Sequence, residues 1–188
     1  SVSVSGQITV ASNSTNRFDA ILDSSTNKII FAYSDANDST KLKSKILYLD
    51  GSTVSAGSVV TVDSNTLKSA NDIYLVMDTN ANKFAVSYIH NSPQLNYVAI
   101  GTVSSGDNTV SYGTPKKGAA NETSATVPFF ISTDNTIGLS VGNNLYPIKI
   151  NGTSFDYGDT ITGFGAAQVY ASGPVSYTHL TLPTSHNV

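Results

Sequence analysis

DTNANKFAVSYIHNSPQLNYVAIGTVSSGDNTVSYGTP, residues 78–115, decides how the chain is read. Two segments rich in β-branched and aromatic residues, KFAVSYI (83–89) and YVAIGTV (97–103), stand between clusters of Asp, Asn, Ser and Gly. The first kind of segment suits a pleated, half-buried surface; the clusters suit turns, where Asp and Asn bond their own backbone. DTNANK is then a turn into a strand, HNSPQLN (90–96) a polar loop and SSGDN (104–108) a Gly-containing hairpin turn. TVSYGTP (109–115) becomes the outermost strand. Upstream, DIYLVMD (72–78) is an apolar run without clean alternation, as expected of a strand buried on both faces. The unit therefore has four strands.

The unit recurs. ILDSSTNKIIFAYSD (21–35) aligns with VMDTNANKFAVSYIH (76–90), and FISTDNTIGLSVGN (130–143) is a shorter third version. SVSVSG, STVSAG, NTVSYG and TSFDYG end at Gly6, Gly57, Gly113 and Gly158, a period of roughly 50 residues. The first copy follows the same plan as FDAILD, KIIFAYS, SKILYLD and GSVVTV. Four strands in a repeat of this length is the arithmetic of a β-propeller blade. The expected fold is all-β, a partial β-propeller of three to four four-stranded antiparallel blades, at 17–65, 69–118, 124–163 and a partial 166–174. First strands would line the central channel. Fourth strands would form the rim, where Pro115 is tolerated because an edge strand can lose a donor. The N-terminal SGQITVAS is expected to supply an extra outer strand. A tandem β-sandwich is the rival architecture, but a sandwich domain needs about twice the repeat length.

Composition narrows the function. Charged residues are 12% and the net charge is −3, which leaves no basic footprint for nucleic acid. No apolar run is long enough for a membrane-spanning helix. The absence of Cys excludes disulfides, thiolate metal sites and a cysteine nucleophile. Glu122 is the only Glu among many Asp, a bias toward turns over helices.

Individual residues are mostly read as structural. DSSTNK (23–28) and DTNANK look like the start of a calcium loop but lack its Gly and its closing acid, so no metal is expected. Tyr33 and Tyr88 share a repeat position and suit packing between repeats, with the hydroxyl reaching solvent. Asp35 and His90 also share a position. His90 has no G-x-S-x-G nucleophile to serve and is expected in a solvated loop. Asp23, Asp78 and Asp134 fall in turns, not in a carboxylate pair built for glycoside hydrolysis. Lys41, Lys43 and Lys45 alternate along a strand and so share one face. Neither catalysis nor a cofactor is expected from these residues.

At DTNANKFAVSY…NYVAIGTVSSGDNTVSYGTP the chain resembles the repeats of a propeller-like family in tail and virion proteins of marine bacteriophages and in related bacterial surface proteins. His90 stands where that family usually has Asp, and Val98 where it has Gly. The resemblance implies a virion or extracellular protein that displays loops, with host-surface carbohydrate or other virion proteins as partners. Asp35, His90 and Gln94, on the loops between second and third strands, are the ligand-contact candidates. Two other readings stay open: a fragment of a propeller glycosidase or polysaccharide lyase whose catalytic residues lie in further blades, and a bacterial extracellular adhesin. Propeller sialidases grip substrate with clustered arginines, whereas this chain has only Arg17. Finally, VSYTHLTLPT (175–184) resembles a translated sequencing adapter. Residues 1–174 are thus expected to be a truncated repeat domain, and 175–188, with His179 and His186, a non-native tail.

Overall fold

The computed structural model describes residues 8–11, 17–68, 73–118, 126–141 and 143–163. The expected partial repeat at 166–174 and the tail at 175–188 lie outside them, as does half of SGQITVAS; Ile8–Ala11 are in no strand.

Three antiparallel sheets follow one another along the chain. The first holds β1 (Phe18–Asp23), β2 (Lys28–Asp35), β3 (Lys41–Asp50), β4 (Thr53–Ala56) and β5 (Val60–Thr66). The second holds β6 (Tyr74–Asp78), β7 (Lys83–Ile89), β8 (Asn96–Val103), β9 (Val110–Tyr112) and β10 (Lys116–Lys117). In the third are β11 (Val127–Ile131), β12 (Thr136–Val141), β13 (Asn144–Asn151), β14 (Ser154–Tyr157) and β15 (Ile161–Thr162). Each sheet is a meander of three strands whose fourth position is shared by two further strands.

That shared position corrects the single outer strand expected at TVSYGTP. β9 pairs with Gly101–Val103 and β10 with Tyr97–Val98, both on β8. Gly113, Thr114 and Pro115 form the break between them, so Pro115 lies in no strand. Proline has no N–H to donate, and the ladder resumes only after it. The break recurs at each repeat glycine among the described residues. The amides of Gly57, Gly113 and Gly158 donate to the carbonyls of Ile46, Ile100 and Pro147 at 2.9, 2.9 and 2.8 Å. In the first copy the break also adds β4, a strand absent from the sequence reading.

The D-x-x-x-N-K turn is explained by two of its fixed residues, the Asp and the Asn. Asp78 Oδ1 accepts the backbone amides of Asn80 and Ala81, and Asp23 accepts the amide and hydroxyl of Ser25 and the hydroxyl of Thr26. Asn27, Asn82 and Asn135 sit at φ 54, 51 and 51°, the left-handed region that Asn enters more readily than most residues.

Strand alternation then builds two cores. Phe84, Val86, Tyr88 and Ala99 of the second sheet pack with Ile30, Ala32, Leu42 and Ile46 of the first. From the opposite face of the same sheet, Ala85, Val98 and Ile100 pack with Ile137, Leu139, Ile148 and Phe155 of the third. The middle sheet is thus buried on both sides, which explains its unbroken apolar runs. β1 lies beside β6, and β6 beside β11. The fold is all-β, with the sheets stacked in sequence order and no closed barrel or ring among the described residues.

Candidate functional site

Asp63 on β5 and the end of β7 meet across the first two sheets. A carboxylate inside the β-branched stretch VTVDSNT needs donors once it is buried, and Asp63 is 5% exposed. Its Oδ2 lies 2.7 Å from His90 Nε2 and accepts the Tyr88 hydroxyl at 2.6 Å. Its Oδ1 accepts the backbone amide of Asn65 at 2.8 Å and the Asn65 side-chain amide at 2.9 Å. Two donors on each oxygen fill the carboxylate's acceptor positions. Burial alone would raise the Asp63 carboxyl, but the bonds from His90, Tyr88 and Asn65 outweigh it and hold the group at about 2. Burial and the neighbouring Asp63 charge push the Tyr88 hydroxyl strongly upward.

His90 is held by its backbone too. Its amide donates to the Leu95 carbonyl at 3.1 Å, and it forms an isolated antiparallel bridge with Leu67 of the first repeat. Asn91 donates to the Thr66 carbonyl and Lys68 to the Ile89 carbonyl, so main chain from both repeats interlocks here. The imidazole lies flat on the Tyr97 ring, with centroids 3.7 Å apart and planes at 15°. His90, Tyr97, Asn65, Ser92 and Thr114 line an open cavity of about 410 Å³.

These contacts change two expectations. His90 is 4% exposed, not a solvated loop residue. The Tyr88 hydroxyl reaches a buried carboxylate instead of solvent, although its ring packs between repeats as expected. In both cases the cause is Asp63, a polar partner on another sheet.

The three sequence candidates are not brought together as one set. Gln94 is exposed in the loop that carries His90. Asp35 ends β2, half-buried, and accepts the Asn37 amide at 3.1 Å, a local turn contact. Asp63, Asn65 and Tyr97 were not singled out by sequence. The available signal was Asp63 itself, an acid in the middle of a β-branched strand.

Other polar clusters are structural. Asn96 donates to Ser87 Oγ and to the Tyr88 carbonyl, and Ser87 bonds Thr126 at 2.5 Å. Lys41 and Lys43 share a face and both bond Asp38. Among the described residues no group of three or more His, Cys, Asp or Glu could hold a metal ion, and no helix is long and apolar enough to cross a membrane. No protein-family model matches the chain, and no curated protein matches it.

Proposed function

We propose that the chain is a non-catalytic binding scaffold, part of a β-propeller in a phage tail or virion protein, whose ligand is a host-surface carbohydrate. The observation that carries the binding reading is the cavity between the first two repeats, where the stacked His90 and Tyr97 rings stand beside Asn65, Ser92 and Thr114. An aromatic face packs against the apolar side of a sugar ring, and amides and hydroxyls orient its hydroxyl groups. Asp63 fixes the His90 ring and has no acceptor position left for catalytic use. Gln94 would contribute from the exposed part of the same loop, whereas Asp35, in the matching loop of the first repeat, stands apart from this cavity. The propeller reading is supported by sheets of one topology stacked with their first strands adjacent.

A glycan array probed with the purified chain tests the binding. Tyr97→Ala, checked for retained β-structure by circular dichroism, should lose the signal seen with the natural chain. An array without hits, or hits that survive Tyr97→Ala, would refute carbohydrate binding at this cavity. For the virion reading, the genes beside the coding region should be tail and capsid genes; neighbours encoding surface anchors would replace it with an adhesin.

A further inference from the structure

The two interfaces between sheets are built alike. In each, the residue five positions before a repeat glycine lays its carbonyl oxygen on the repeat glycine of the preceding sheet. A Cβ placed on Gly57 would stand 1.9 Å from the Asn108 oxygen, and one on Gly113 would stand 1.7 Å from the Thr153 oxygen. Three residues beyond each glycine, a side chain meets the neighbouring sheet's fourth strand. Val60 shares a core with Val110 and Tyr112. Lys116 Nζ lies 4.9 and 4.5 Å from the ring centroids of Phe155 and Tyr157, and donates to the Phe155 carbonyl at 2.8 Å.

The third sheet carries the receiving half of this interface, and among the described residues nothing seats on it. Gly158 is exposed, and the three described atoms nearest to a Cβ placed there all belong to Pro147 of its own sheet, the first at 3.2 Å. Ile161, three positions on, is 49% exposed. The first sheet carries the inserting half, equally uncovered among the described residues. Its turn places Gly51 at φ 62°, matching Gly152 at φ 61° in the turn that seats Thr153. Ser52 occupies the position of Asn108 and Thr153, five before Gly57, and is exposed. Ile29 corresponds in register to Phe84, which faces the preceding sheet. Ile29 is 41% exposed, and Leu22, paired with it, is 58% exposed.

We infer that these two faces are complementary halves of one docking interface, filled head to tail by a second copy of this chain. The Ser52 carbonyl of one copy seats on Gly158 of the other, and Ile161 packs on Val54 and Ala56, which hold the positions of Phe155 and Tyr157. Both contacts continue an interface that the chain already makes twice. The contact is heterologous, so repeated docking yields a ring or an open filament. The inference rests on the repeat reading above and is independent of the carbohydrate.

Sedimentation velocity of the full 188-residue chain tests it. The natural chain should associate with rising concentration beyond a dimer. Gly158→Ala blocks the receiving half, and Ile29→Lys spoils the inserting half. Each variant alone should weaken association by at least roughly tenfold. Mixed together they should form a heterodimer and stop, because the mixture has one intact half on each partner. If Gly158→Ala loses its fold by circular dichroism, the exposed Ile161→Lys takes its place. A chain that stays monomeric throughout overturns the inference, as do variants that associate normally. A mixture that fails to dimerise also overturns it, since a contact between like faces would be indicated. Absent glycan binding would leave all these outcomes readable.

Discussion

Asp63 is the residue on which the first interface turns. Desolvation opposes its charge, yet donors from Tyr88, His90 and Asn65 hold its carboxyl at about 2 against an ordinary 3.8. A depressed folded value stabilises the fold above the unfolded pKa, and that stability is lost as pH falls through the folded one. Between about pH 4 and pH 2 the chain should therefore lose on the order of 1–2 kcal/mol from this group, after allowance for solvent screening. Asp63→Asn should cost about 2–3 kcal/mol at neutral pH, because an amide nitrogen offers no acceptor to the buried Tyr88 and His90 donors. Urea unfolding of both proteins across the acid range checks this. Equal acid sensitivity in the variant would show that another carboxylate governs the transition.

At the scale of the element, the broken fourth strand matters most. Its glycine is required by the neighbouring sheet, not by backbone conformation: Gly57 and Gly113 have ordinary φ, but a side chain on either would strike a carbonyl of the next repeat. Gly113→Ala should thus destabilise the chain by about 1–3 kcal/mol, the range for overpacking a closed contact. Gly106 has open space and no positive φ, and Gly106→Ala should be close to neutral. Chemical denaturation of the two variants side by side separates these cases. A neutral Gly113→Ala would mean that the sheets stand further apart than described.

The whole molecule is a stack with unequal layers. Among the described residues only the second sheet has a core on both faces. The first exposes Phe18 at 63% and Leu22 at 58% on its outer side. Local opening tracks the buried contacts that must be broken. Amides of β7 and β8 should accordingly resist hydrogen exchange longest, with those of β1 and β14 exchanging first. Mass spectrometry after a series of exchange times reads this order; equal protection of β1 and β7 would contradict it.

Much of this could be read without coordinates. Turn residues, the roughly 50-residue period and the apolar runs dictated strands and their order, because these depend on nearest neighbours along the chain. DTNANK, KFAVSYI and YVAIGTV lie within two residues of their expected bounds. The repeat glycine was legible as a pattern, but its purpose was not, because the carbonyl that demands it belongs to another repeat. His90 was misplaced for the same reason: its loop reads as polar, and only packing against the first sheet brings Asp63, 27 residues away, to 2.7 Å. Local periodicity decided the first three strands of the second repeat by itself, but not the break that splits the fourth. Which polar groups meet, and which faces stay open, was settled only when the sheets stacked, since burial and hydrogen bonding between repeats depend on distances that no single repeat contains.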